Sequence, residues 1–138
     1  MKQHVRRVAA AAIVLTGIVR SGAEQLTPVD FSFKMPIAFS GYAGTETLTN
    51  FPVLVRLNTA IPGFTYDGFA AEGTDLRFAD GADTVLAHEI DTWNTNGTSL
   101  VWIRMPELTS STRIQSYWGA GLPRHADSQT DGNVWNAA

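Results

Sequence analysis

The sequence predicts an all-β protein, an antiparallel β-sandwich or jelly-roll-like fold, on three observations. Apolar residues recur at every second position in short segments such as 51–57 and 99–105, a period that places one face of each strand in a core. Turn-forming pairs separate these segments: Pro62-Gly63, Asp67-Gly68, Glu72-Gly73, Asp80-Gly81 and Asn96-Gly97. No segment after residue 30 has helical periodicity, which favours a sandwich over an α/β fold.

The first 23 residues have the layout of a secretory signal peptide. Three basic residues stand within the first seven, an apolar run follows at 8–19, and the small residues Ser21-Gly22-Ala23 come next. The alternative is an uncleaved membrane anchor, but an apolar run this short covers only ~18 Å of a ~30 Å hydrocarbon layer. We therefore expect residues 1–23 to be removed and residues 24–138 to form one domain in the periplasm, the cell envelope or the extracellular space.

The predicted mature chain is acidic. Residues 1–23 hold four of the 10 Lys and Arg and none of the 13 Asp and Glu, so their removal leaves six bases and a formal charge of −7. Nucleic acids and anionic membranes select basic surfaces, so we expect neither as a partner and no membrane insertion of the mature domain. The chain has no cysteine, so its stability must come from a packed core rather than from disulfides.

The strands can be predicted in order. The first carries its apolar face on odd-numbered positions from Phe31 to Phe39, and Pro36 on the opposite face suits an edge strand. Residues 40–50 are polar and predict a loop, with Leu48 packing inward, before the strand at 51–57.

The connection at 58–73 is too apolar for a free loop, and we expect it to fold over the rim of the sandwich. Further strands are expected near four segments: 74–79, 84–91, 99–105 and 112–118. After Gly119 the chain turns polar, and little chain follows Trp135 to pack against it.

Four motifs stand in order between Phe39 and Trp135: FSGYAGTETLTNFPVLVRL, GTDLRFAD, LAHEIDTWNTNGTSLVWIRMPEL and YWG. In order and spacing they resemble an exported bacterial domain family that is catalogued only as a domain of unknown function. The resemblance implies a β-sandwich outside the cytoplasm and no established catalytic site. That domain lies near the N-termini of proteins with laminin-G or concanavalin-A-like domains, or is fused to biopolymer-transport proteins of the ExbB/TolQ/MotA type. Since the family continues past the Asn133-Val134-Trp135 motif, we expect this chain to be C-terminally truncated relative to it.

The densest polar cluster is the segment 88–93, HEIDTW. In a strand, Glu89, Asp91 and Trp93 share one face. Carboxylates beside an aromatic ring suit the binding of a sugar, and Arg104 on a neighbouring strand completes the predicted ligand-binding set.

Two alternatives remain for this cluster. A carboxylate pair is what a glycosidase uses, but side chains two apart in a strand lie roughly 6–7 Å from each other and point the same way, not across a scissile bond. The structural alternative is that Glu89 and Asp91 pair with Arg77 or Arg104 on adjacent strands.

No catalytic, metal or cofactor signature is expected from the remaining residues. His88-Glu89 is not a zinc motif because residue 92 is Thr, and there is neither a cysteine nor a Gly-x-Ser-x-Gly elbow. Four aspartates offer oxygens that calcium could use, namely Asp75, Asp80, Asp83 and Asp91. The segment 80–83 is equally an ordinary turn in which an aspartate caps its own backbone.

These observations predict an exported, non-enzymatic module that recognises a surface ligand such as a glycan or scaffolds an envelope protein. One alternative is a structural spacer domain in a biopolymer-transport protein. The other is a carbohydrate-active enzyme that uses Glu89 and Asp91.

Overall fold

The computed structural model describes residues 23–136, and apart from Ala23 the predicted signal peptide lies outside them. The described chain forms six strands: β1 (Phe33–Ala38), β2 (Leu48–Leu57), β3 (Arg77–Ala79), β4 (His88–Thr92), β5 (Ser99–Leu108) and β6 (Arg113–Trp118). Its helices are three single 3₁₀ turns, Pro28–Asp30, Ala71–Gly73 and Asp127–Gln129. No helix of this part of the chain is long and apolar enough to cross a membrane.

The strands form two antiparallel three-stranded sheets, so the all-β prediction is confirmed, and their arrangement is that of a β-sandwich. The first sheet has the order β1-β6-β3 and the second has the order β2-β5-β4. Alternation places Val101, Ile103 and Met105 of β5 in the core, and Met35 and Ile114 meet them from the first sheet.

The sandwich is closed on the side of β3 and β4. Between these strands the chain passes from one sheet to the other while bonded to both. The amide of Leu86 donates to the carbonyl of Phe78 in β3 (2.8 Å), and the carbonyl of Ala87 accepts the amide of Arg104 in β5 (2.9 Å). This continuity leaves no gap between the two sheets on that side.

Side chains of the C-terminal 3₁₀ turn cover the outer edge of β4. Ser128 Oγ accepts from the His88 amide (3.0 Å) and donates to the His88 carbonyl (2.7 Å). The Gln129 carboxamide does the same for Ile90, accepting at 2.8 Å and donating at 3.0 Å. Four backbone groups of an edge strand are thereby satisfied without another strand, which protects the edge from pairing with a second chain.

The opposite edges, β1 and β2, each carry a proline. In β4 the backbone N–H and C=O groups of His88 and Ile90 point away from β5. The register therefore assigns the hydrogen bonds between β2 and β5 to the odd-numbered residues of β2, and Pro52 faces away from β5. The same alternation of hydrogen-bonded residues in the first sheet makes Pro36 face away from β6. A proline costs nothing at such a position and removes a free donor from the edge.

The N-terminal segment covers the outer face of the first sheet. The Glu24 carbonyl accepts from the Val85 amide and the Leu26 amide donates to the Asp83 carbonyl, both at 2.8 Å. Leu26 is buried with Tyr117 of β6, whose ring lies 5.7 Å from that of Phe31. Gln25, between Glu24 and Leu26, forms an antiparallel bridge with Thr84.

The connection at 58–73 folds over the rim, as the sequence predicts. Phe69 stacks on Trp118 with ring centroids 5.1 Å apart and planes within 3°, and Phe33 stacks on Trp118 at 5.5 Å. The Trp118 indole N–H donates to the Asp67 carbonyl at 3.2 Å. One tryptophan at the end of β6 thus holds both the rim loop and the start of β1.

A buried carboxylate fixes the same loop to the chain beyond β6. Asp75 is 0% exposed and accepts three backbone N–H groups, from Ala70 (3.0 Å), Gly119 (3.0 Å) and Gly121 (3.1 Å). Hydrogen bonds to a charged acceptor are worth about 1.5–3 kcal/mol each, which offsets the cost of removing the carboxylate from water.

The C-terminal region packs against the sandwich although its sequence is largely polar. The polar stretch after Gly119 is not an open tail, since it supplies the cover of β4. Trp135 does find packing partners, because the chain turns back and its indole meets Trp102 of β5 at 5.1 Å. The preceding residue, Val134, is buried.

His88 is buried in the core against Phe78, with ring centroids 5.2 Å apart. Burial lowers the pKa of its imidazole from 6.5 to about 4, and the nearby charges of Arg77 and His125 act in the same direction. Between these pH values the unfolded chain binds a proton on His88 that the folded chain does not. The stability that His88 contributes is therefore complete above pH 6.5 and is lost as the pH falls towards 4.

We predict that this loss amounts to about 3 kcal/mol between pH 7 and pH 4, at 1.36 kcal/mol per pKa unit. Urea unfolding of the wild type and of His88→Gln across this pH range measures the loss. Between pH 7 and pH 4 the free energy of unfolding should fall by about 3 kcal/mol less in the variant than in the wild type. His125→Gln, at a half-buried position, is the control and should keep most of the wild-type dependence. Equal pH dependence of the wild type and His88→Gln would contradict the assignment.

Candidate functional site

The outer face of the second sheet carries a group of residues that we call the tryptophan face: Leu54, Glu89, Trp102, Arg104 and Trp135. Leu54, Trp102 and Glu89 lie side by side in register on β2, β5 and β4. Trp102 is half-buried, while Trp135 is 49% and Leu54 42% exposed. Exposed apolar side chains that lie together beside charged groups are a feature of recognition sites.

Glu89 holds the Trp135 indole beside that of Trp102. The Trp135 ring leans against Trp102 at 60° between planes, and its Nε1–H donates to the Glu89 carboxylate at 2.9 Å. The bond fixes the direction of the exposed ring, which reduces the side-chain freedom that a ligand would have to remove on binding. One carboxylate oxygen of Glu89 is thus committed to Trp135.

Arg104 connects β5 to two other segments. Its guanidinium donates to the Asn50 side-chain oxygen (2.9 Å) and to the Asn133 carbonyl (3.1 Å). Asn50 has a left-handed backbone, with φ 49°, at a position where the β2–β5 pairing is interrupted without a change of register. Its side chain holds Arg104 on the face.

The structure does not bring together all four residues that the sequence grouped as a ligand site. Glu89 and Arg104 both lie on the tryptophan face. Asp91 is exposed and accepts only from the Thr92 hydroxyl next to it, at 3.1 Å. Trp93 lies elsewhere.

The expectation that Trp93 shares a strand face with Glu89 and Asp91 is wrong. The register of β4 shifts between Ile90 and Thr92, and the strand ends at Thr92. A bulge interrupts the alternation of side chains. Trp93 consequently packs on the hydrophobic core.

The expected pairing of Glu89 or Asp91 with Arg77 or Arg104 is also wrong. Within residues 23–136 the ion pair that forms is a surface contact of Arg124 with Asp127, at 3.9 Å. Arg77 instead donates to the backbone carbonyls of Thr74 (2.9 Å) and Leu76 (2.7 Å). Burial lowers the pKa of its guanidinium, and the neighbouring charges of Glu24 and Asp75 oppose that shift.

The aspartates considered as calcium ligands have other roles. Asp80 accepts from the amides of Ala82 and Thr84, both at 2.9 Å, so the turn interpretation of residues 80–83 is confirmed. Asp75 is engaged by backbone amides, as described above. No group of three metal-ligating side chains occurs among the described residues.

A second concave surface lies where β2 and β4 end and β5 begins. We call it the Trp93 cleft; its volume is about 370 Å³, and the side chains that define it are Tyr66, Phe69, Glu72, Trp93, Asn94 and Asn96. The Trp93 ring meets Tyr66 edge-on at 5.4 Å and Phe69 at 4.9 Å. Aromatic rings line one side of the cleft, and polar groups contribute most of its exposed surface.

Sequence reasoning did not find the partnership of Trp102 with Trp135. Thirty-three residues separate them, and the return of the chain after Gly119 brings them together. The available signal was the alternation in β5, which puts Trp102 on the side opposite Val101 and Ile103. That pattern identifies an outward tryptophan but not the residue that covers it.

The fold and these surfaces define the protein as a small β-sandwich module with an aromatic outer face. Residues 72–135 match the model of a family described as a domain of unknown function (DUF2341). The match supports an uncharacterised domain family for this region, which contains most of the tryptophan face. No curated protein and no solved structure matches the chain.

Proposed function

We propose that this protein is an exported, non-enzymatic module that recognises a glycan through the tryptophan face. The observation that carries the proposal is Trp135, half-exposed against Trp102 with its N–H held by Glu89. A sugar ring has an apolar C–H face that packs on an indole, and its hydroxyls bond to charged groups at the margin. Glu89 and Arg104 provide one acceptor group and one donor group beside the rings.

The alternatives from the sequence fit these contacts less well. A carbohydrate-active enzyme would need Glu89 free to act on the substrate, yet its carboxylate accepts the Trp135 N–H at 2.9 Å. A pure spacer has no need of an oriented, half-exposed tryptophan. Envelope scaffolding would use the same face for a protein partner, and the binding experiment below separates it from glycan recognition.

Export is part of the proposal, and it rests on the composition of residues 1–23. The predicted cut after Ala23 falls just before Glu24, whose carbonyl is bonded to Val85 at 2.8 Å. Mass spectrometry of the protein recovered from the host envelope or medium should find Glu24 as the first residue. Protein that retains Met1 in the membrane fraction would contradict export with cleavage.

We predict that the purified protein binds at least one oligosaccharide on a printed glycan array. Trp135→Ala should weaken that binding about tenfold or more, which corresponds to about 1.4 kcal/mol. The variant should keep the fold, because half of the indole is already exposed to solvent. Isothermal titration with the strongest array ligand measures the change.

Phe51→Ala is the matched control, because Phe51 is 43% exposed but alternates to the other side of β2 from Leu54. It should bind like the wild type. A folded wild-type protein that binds no glycan would contradict the proposal and favour the spacer or scaffold alternative. Cleavage of the bound glycan that disappears in Glu89→Gln would favour the enzyme.

A further inference from the structure

The Trp93 cleft is separate from the tryptophan face, and its walls are fixed from inside the protein. Ser99 holds both sides: its hydroxyl bonds the Tyr66 hydroxyl at 2.8 Å and accepts the Asn94 amide at 2.9 Å. The Tyr66 hydroxyl also donates to the Leu57 carbonyl at 2.9 Å. The cleft is therefore preorganised, so that a ligand need not order its walls.

Glu72 on the rim and Gly73 against the Trp93 ring are two consecutive residues with a left-handed backbone. Gly73 has φ 68°, and a Cβ there would lie 2.7 Å from the Trp93 ring, so only glycine lets the ring rest on the backbone. Glu72 has φ 56° and ψ 19°, a conformation that disfavours residues with a Cβ. Strain at a non-glycine residue on the rim of a pocket is a feature typical of functional sites.

Charge limits what the cleft can hold. Glu72 is the single charged residue among those lining it, and it is exposed and forms no ion pair with any described residue. A carboxylate accepts hydrogen bonds and attracts cations, while Asn94 and Asn96 at the rim can both donate and accept. Anionic ligands are disfavoured because no base lines the cleft to offset Glu72.

From these observations we infer that the Trp93 cleft is a second ligand site, which takes a single neutral or amino-bearing sugar residue. The exposed part of the aromatic rings contacts the apolar face of the sugar, the rim amides bind hydroxyls, and Glu72 accepts from a hydroxyl or an ammonium group. The inference is independent of the proposed function, because none of the cleft residues belongs to the tryptophan face.

The test is a titration of the full-length mature protein followed by ¹H–¹⁵N NMR. The probes are methyl β-glucoside, glucosamine and glucose 6-sulfate. The first two should shift the Trp93 indole N–H and the amides of residues 94–96, with glucosamine binding more tightly, and the sulfate should not. Trp135→Ala should leave these shifts unchanged, so failure of the glycan proposal does not affect the result.

Glu72→Gly should weaken glucosamine binding about tenfold or more without lowering the thermal unfolding midpoint, because glycine relieves the left-handed strain. Asp83→Gly is the matched control: Asp83 also has a left-handed backbone, with φ 60°, but lies in the turn that begins at Asp80. It should bind like the wild type. Glu72→Gln should remove the preference for glucosamine over the glucoside while keeping the rim intact.

Three results would overturn the inference. The first is the absence of shifts at Trp93 and residues 94–96 with every probe. The second is tighter binding of glucose 6-sulfate than of methyl β-glucoside. The third is a Glu72→Gly protein that binds glucosamine as the wild type does.

Discussion

The buried carboxylate of Asp75 is the interaction on which the ends of this sandwich depend. Moving an unpaired carboxylate into a core is prohibitively costly, so the side chain requires the three backbone N–H groups that it accepts. One of them belongs to Ala70, at the entrance to the Trp93 cleft, and two belong to Gly119 and Gly121, where the chain leaves β6. The hydrogen bonds that one buried carboxylate requires therefore fix two loops that form no β-pairing of their own.

Each loop carries a candidate site. The first continues into Glu72 and Gly73, whose left-handed conformations place a carboxylate at the rim of the cleft and the Trp93 ring on the backbone. The second directs the C-terminal segment across the second sheet, where Ser128 and Gln129 cover β4 and Trp135 reaches Trp102. The strands supply Glu89, Trp102 and Arg104, and the anchored loops supply Glu72 and Trp135.

The strands could be predicted from sequence because alternation is a local signal. Val101, Ile103 and Met105 identify the inner face of β5 without reference to any other segment. The packing of the rim loop was predicted from another local signal, its apolar composition. The sites were harder to predict because they depend on the register shift in β4 and on contacts between residues far apart in the sequence. The bulge in β4 places Trp93 away from Glu89. Arg104 donates to an amide oxygen and a backbone carbonyl instead of a carboxylate. The spacing of residues in the sequence reveals neither feature. Pairing across strands was a reasonable expectation, but Arg77 donates to backbone carbonyls, and Arg104 donates to the Asn50 side chain and the Asn133 carbonyl.

Amide hydrogen exchange tests most directly the claim that Asp75 anchors both loops. The N–H groups of Ala70, Gly119 and Gly121 lie outside every strand, yet their bonds to a buried carboxylate should make them exchange as slowly as the amides of β5. The open loop at residues 40–46 provides the fast reference. Slow exchange at all three positions, lost together in Asp75→Ala while β5 stays protected, is the predicted result. Exchange at these positions as fast as in the open loop would contradict the account.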